Sequence, residues 1–249
     1  MKLEIKAIDI HSHYNHGSQY DTKTDDFYCC DIDFLLKKYE NANIKCGAFS
    51  SFASVISDKD IIAENEHLYN LTKSNERIFQ WVVIDPRQES TLIQADKILK
   101  SDKCLGIKIH PPGHGYDTRD YADKIFSFAN ERKTFVLIHI DFPFHDVAHE
   151  FANKYPDMKL IIAHLGGINV VNKAKYDNIF LDTSGSSSIK NNVIEYTVNK
   201  VGSEKVFFGT DTYDVGFQRG RIEYAGISDK DKENILYNNA KRHFPIFEF

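Results

Sequence analysis

The chain contains no run of about eighteen consecutive apolar residues, the length a membrane-spanning helix needs, so no transmembrane segment is expected. It also has no C-x-x-C pair. Its four cysteines are Cys29, Cys30, Cys46 and Cys104, and adjacent cysteines rarely bridge each other. Four thiols in 249 residues make no disulfide framework, and reduced, cytoplasmic cysteines are the expectation. A net charge of −5, with Lys and Arg scattered rather than striped, leaves no electrostatic case for nucleic acid. No Pro/Gly/Ser-rich linker and no low-complexity segment divides the chain. The opening Met1-Lys2-Leu3-Glu4-Ile5-Lys6 alternates in polarity and lacks the apolar centre of a signal peptide.

What the sequence does contain is a regular alternation. Short apolar runs rich in Val, Ile and Phe occur at Leu3–Ile10, Ile44–Phe49, Ile78–Ile84, Cys104–Ile109, Phe135–Ile140, Lys159–Ala163, Asn178–Leu181 and Lys205–Gly209. Most are apolar throughout, as strands buried on both faces of a parallel sheet must be. Helical spacing lies between them, as in Ile32, Leu35, Leu36 and Tyr39, and in Ala122, Ile125, Phe126 and Ala129. Ser57 with Asp60, and Ser228 with Asp231, read as capping boxes, and the last helix is expected from about Asp229 to His243. Eight alternations without a linker predict one α/β domain over residues 1–249, a (β/α)8 TIM barrel with room for distortion.

The chemistry begins at Asp9-Ile10-His11-Ser12-His13. Side chains two apart on a strand share a face, so His11 and His13 aim at one point, the arrangement of two imidazoles sharing a divalent metal. His139 interrupts an apolar strand, His164 opens His164-Leu165-Gly166-Gly167, and Asp211 ends Gly209-Thr210-Asp211. Each has a plain structural alternative: a hydrogen-bonded core histidine, a turn cap, or the N-cap of the next helix. All of them, however, fall at carboxyl ends of predicted strands, the face on which barrels of this type carry their active sites.

Lys108 and His110 also lie two apart and share a face of the fourth strand, where they are candidates to bind substrate. The alternative for Lys108 is a lysine snorkelling to solvent, and a carbamate bridging two metals is a further option. Arg219 and Arg221, soon after the eighth strand, are candidates to clamp a carboxylate. The remaining histidines, including His16, His67, His114, His145, His149 and His243, read as loop or surface residues, with His16 and His114 close enough to the rim to touch substrate.

With these residues placed, the chain resembles the amidohydrolase superfamily, in particular the amidohydrolase-related branch that includes aminocarboxymuconate semialdehyde decarboxylase. The likeness runs through Asp9-Ile10-His11-Ser12-His13, Ile84-Asp85-Pro86, Gly106-Ile107-Lys108-Ile109-His110-Pro111, Ile162-Ala163-His164-Leu165-Gly166-Gly167, Leu181-Asp182-Thr183-Ser184-Gly185, Phe207-Phe208-Gly209-Thr210-Asp211 and Asn239-Ala240-Lys241-Arg242-His243-Phe244. The resemblance implies that His11, His13, His139 and Asp211 hold one divalent ion, usually Zn2+, with Mn2+ or Fe2+ as alternatives and a second metal as an option. It implies that His164 orients or deprotonates water, or becomes a ligand to that second metal. Thr212-Tyr213-Asp214 stands where the branch often has a proline. TatD-type nucleases look for a glutamate where this chain has Lys108 and His110, and phosphoesterases of the PHP type lack the closing G-T-D block.

The leading expectation is hydrolysis of a small amide, ester or lactone, with Asp211 and His164 as the proton-transfer groups. An ion at such a site lowers the pKa of a bound water to about 7. Non-oxidative decarboxylation on the same residues is the first rival, with Lys108, Arg219 or Arg221 holding the carboxylate. A barrel that binds without turnover is the second. The expected partner is a small molecule, not nucleic acid or membrane, and a homodimer is a possible assembly.

Overall fold

The eight apolar runs become eight parallel strands, each paired with the next in chain order. They are β1 (Ala7–Tyr14), β2 (Ile44–Ser51), β3 (Ile78–Val83), β4 (Cys104–Ile109), β5 (Phe135–Ile138), β6 (Lys159–Ile162), β7 (Ile179–Asp182) and β8 (Val206–Phe207). The computed structural model describes residues 4–16, 28–139, 144, 147–171, 173–185 and 189–247; His145, read above as a loop residue, lies outside them. Helices follow the strands, and the expected TIM barrel is what forms, distorted where it closes. Between β8 and β1 there is one parallel bridge, Ser12 with Asp211, supported by Ile10 N–H donating to the Phe208 carbonyl at 3.0 Å.

The helix Ile32–Asn41 buries Ile32, Leu35, Leu36 and Tyr39, and Asp31 caps it by accepting from Phe34 N–H. The helix Thr118–Glu131 buries Ala122, Ile125, Phe126 and Ala129 in the same way. Ser228 caps Asp229–Glu233 as expected, and the chain stays helical to His243 through a wider π turn at Asn234–Asn238. The capping box expected at Ser57 and Asp60 does not form. Asp60 precedes the helix Ile61–Ser74 without a side-chain cap, and Ser57 Oγ instead accepts from Lys59 N–H.

Two packed layers result. One lies between strands and helices and includes Ala7, Ile44, Ile107, Val136 and Leu181; the other fills the barrel and includes Ile8, Ile10, Leu105, Phe135 and Phe180. The barrel's lower end is sealed by the C-terminal segment. Phe244 packs 4.4 Å from Phe135 and edge-on to Trp81, and Phe247 packs 4.6 Å from Phe79. His243 belongs to this plug, 4.7 Å from Phe180, rather than to a free surface, and burial lowers its pKa to about 4.

Strand irregularities decide what faces inward above that floor. In β1, Asp9 pairs with Gly47 and Ser12 with Phe49, so β1 carries one residue more than β2 over that stretch. Such a bulge switches the alternation. Ile8 and Ile10 point into the barrel below it, and His11 and His13 point inward above it. β4 has an extra residue too, between the Gln80–Cys104 and Trp81–Gly106 pairs, which brings Lys108 into register with the barrel interior.

Candidate active site

Followed upward, the inward positions change from apolar to polar: Phe135 and Leu137 on β5 with His139 just after it, Phe180 and Asp182 on β7, and Phe207 on β8 with Gly209 and Asp211 beyond it. Each strand delivers its polar residue at the carboxyl end, so chemistry collects at one mouth. The His11 and His13 rings meet edge to face, 5.2 Å between centroids. His13 Nε2 lies 3.3 Å from Asp211 Oδ1. One ligand-type atom from each of His11, His13 and Asp211 lies within 4.8 Å of the others.

The outer partners fix the tautomers of the two histidines. His11 Nδ1–H donates to Asp182 Oδ2 at 2.9 Å, and His13 Nδ1–H donates to the Ser50 carbonyl at 3.2 Å. A ring whose Nδ1 carries the proton keeps its lone pair on Nε2, the form a metal needs. Burial also holds both rings neutral: His13 is pushed well below the ordinary histidine range by desolvation and then by His11 and Lys108, and His11 is lowered by burial and by Lys108. Two neutral imidazoles and one carboxylate therefore fit a divalent ion. In this structure the His11 lone pair accepts from Lys108 Nζ at 3.0 Å, so an ion held by His11 displaces that hydrogen bond. Lys108 is fully buried, and desolvation brings its pKa down to about 8.

Asp182 ties the rest together. Its Oδ1 accepts from His164 N–H at 3.1 Å and from Ser184 N–H at 2.9 Å. Burial alone would raise its pKa, but His11 and its hydrogen bond, with His164 and Ser184, outweigh that and hold it as a carboxylate. His164 itself is left-handed, with φ 62°, as are Leu165 at 54° and Asp211 at 61°. Non-glycine residues in that region mark strain kept by the surrounding structure. The adjoining Gly166 is not left-handed, with φ −69°. The glycine the site needs is Gly185, at φ 74°, where a Cβ would stand 2.3 Å from His164 Nδ1.

The family model for amidohydrolases matches residues 8–246. The chain belongs to the amidohydrolase family. A search of curated proteins finds no match. Among solved structures it is similar to the 2,6-dihydroxybenzoate decarboxylase from Rhizobium, with 14% identity, TM-score 0.77, and 98% of this chain and 100% of that chain covered. It is similar to a dihydroxybenzoic acid decarboxylase from Polaromonas sp. JS666 holding manganese and the inhibitor 2-nitroresorcinol, with 14% identity, TM-score 0.75 and 98% of each chain covered. A Pseudomonas putida protein provisionally assigned as a 2-pyrone-4,6-dicarboxylic acid hydrolase matches at 14% identity and TM-score 0.74, over 99% of this chain and 100% of that one. At these identities the likeness is one of fold.

In this member of the family the other anticipated residues divide. His139 reaches the mouth, but its Nδ1 lies 3.1 Å from His164 Nε2 and its ring stacks on His110 at 4.0 Å, beside the three-residue donor group rather than in it. Burial, then His110 and Lys108, keep His139 far below the usual histidine range. His164 Nδ1 is 3.8 Å from Asp211 Oδ2 and 2.9 Å from Ser184 Oγ. Asp211 does not cap the next helix; Asp214 does, accepting from Phe217 N–H. His110 lines the mouth.

Arg219 does not line the mouth. It lies on the buried face of the helix Val215–Glu223, which runs back toward the floor, and its Nη2 donates to the Ile5 carbonyl, below the start of β1. Arg221 donates to the Thr183 carbonyl. Asp182, Ser184 and Ser50 received no role from the sequence reading, and the only signal was a polar D-T-S step directly after an apolar run. The mouth is a cavity of about 310 Å3 lined by Tyr28, Phe52, Val55 and Ile56 together with His13, His110, His139, His164 and Asp211. Among the described residues, no helix is long and apolar enough to cross a membrane.

Proposed function

We propose that this chain is a metal-dependent, non-oxidative decarboxylase of a small carboxylic acid of single-ring size. The observation that carries the reading is the lining of the cavity, where His13, His164 and Asp211 occur together with Phe52, Val55, Ile56 and Tyr28, and the buried Lys108 amine is joined to these donors through His11. A carboxylate held there loses water against the apolar side chains, and the charge is relieved when it departs as neutral CO2. When bound, a divalent ion at His11, His13 and Asp211 supplies positive charge for the substrate's oxygens and for the electron pair released. The carbon–carboxylate bond breaks, its pair stays on the ring carbon, and that carbon takes a proton. Asp211 and His164, 3.8 Å apart and both facing the cavity, are the groups that carry this proton in their acid forms. The decarboxylases among the structural neighbours support the reading.

Hydrolysis is the second reading. The same Asp211–His164 pair could take a proton from water, and the Pseudomonas putida neighbour favours that course. Purified protein loaded with Mn2+ or Zn2+ and offered hydroxybenzoic acids is expected to release CO2. His13→Ala and Asp211→Asn should abolish that release and His67→Ala should leave it unchanged. Opening of a pyrone or other lactone, with no CO2 from any acid, would overturn the proposal in favour of hydrolysis.

A further inference from the structure

The rim histidines divide by tautomer, and the division separates metal ligands from a substrate donor. In His11 and His13, Nδ1 faces an acceptor and Nε2 holds the lone pair. His110 is the reverse. Its Nδ1 accepts from the Gly113 N–H at 2.9 Å, so in the neutral ring the proton is on Nε2. The contact is built in: His110 is followed by Pro111-Pro112-Gly113, whose turn brings the Gly113 N–H back to the ring. A Cβ on Gly113 would meet the Val55 carbonyl at 2.1 Å and His110 Nδ1 at 2.6 Å, so no larger residue fits this fold-back. The turn is braced from outside, because His114 Nε2–H donates to the Ser54 carbonyl and Arg87 Nη2 donates to the His114 carbonyl. His110 lines the cavity beside His13, His139 and Asp211.

We infer that His110 is a donor of fixed tautomer that presents Nε2–H to an oxygen of the bound substrate and takes no part in holding the ion. The class of ligand is a compact molecule with a carboxylate, phenolate or nitro oxygen at the His110 side of the cavity. Only the identity of that oxygen rests on the decarboxylase reading; the tautomer does not.

The test uses the full chain loaded with Zn2+ and 15N-labelled at histidine, with 2-nitroresorcinol as probe. Long-range 1H–15N correlation at neutral pH should show His110 protonated on Nε2 and bare on Nδ1. Adding the probe should move the Nε2 signal. His110→Asn keeps an acceptor for Gly113 N–H but removes the Nε2 donor, and is expected to weaken probe binding roughly 10- to 100-fold with zinc content unchanged. An Nδ1–H tautomer, equal probe binding by wild type and His110→Asn, or loss of zinc from the variant would each overturn the inference, as would failure of the wild type to bind the probe. Absence of CO2 release with the tautomer and probe response intact would remove the decarboxylase reading and leave the donor in place.

Discussion

The two ends of this barrel are built from the same eight strands and obey opposite rules. At the floor, inward positions are Phe79, Trp81, Phe135, Phe180 and Phe207, and Phe244 and Phe247 fill the remaining space. At the mouth, inward positions are His11, His13, Lys108, Asp182 and Asp211, the last of them in strained backbone, and their polar atoms are paired with one another. A close-packed aromatic floor stabilises the fold through burial. The mouth holds buried charge and unfavourable dihedrals that cost stability and are retained for chemistry. Stability and chemistry should therefore respond separately to substitution.

The largest effect expected is at the floor. Phe244→Ala removes a ring packed against Phe135, Phe207 and Trp81 and should cost about 3–5 kcal/mol in denaturant unfolding. Metal affinity of the folded fraction should stay within about twofold of wild type; a large loss would show that the two ends are coupled.

A smaller effect concerns the seam between them. Asp9 is fully buried and accepts from Tyr39 Oη at 2.6 Å, Thr210 Oγ1 at 2.5 Å and the His11 and Thr210 amides, and burial pushes its pKa up to about 7. With a raised folded pKa, the native state binds the extra proton between about 4 and 7. Its contribution is thus full below pH 4 and lost as pH rises through 7, by an amount on the order of a few kcal/mol. The stability of wild type minus that of Asp9→Asn, measured with chelator present, should fall across that window. A flat difference would show that its four donors hold Asp9 ionised throughout.

The smallest effect probes the outer partners of the site. Asp182→Asn leaves His11, His13 and Asp211 in place but loses the carboxylate that orients His11, and should weaken metal binding by about 10- to 100-fold in a competition titration. Unchanged affinity would mean that the His11 tautomer is set elsewhere, for instance by Ser184 Oγ at 3.0 Å.

Much of this was legible in the primary structure. The apolar runs marked the strands to within a few residues, because strands buried on both faces are mostly apolar in sequence. His139, His164 and Asp211 stood out at strand ends for the same reason. Arg219 misled, because closeness in sequence to β8 says nothing about a helix that carries its second turn back toward Ile5. Asp182 was passed over, since an aspartate ending an apolar run reads as an ordinary turn residue until His11, 171 positions away, is seen to donate to it.

By itself, the order of residues determined the strand-and-helix alternation, the polar strand ends and the shared face of His11 and His13, all of which follow from local periodicity. Which way that face points was a tertiary decision. Strict alternation from Ile8 and Ile10 would have turned both histidines outward, and only the extra residue accommodated in β1 against β2 turns them into the barrel. A bulge is a property of two paired strands, so neither strand's sequence specifies it alone.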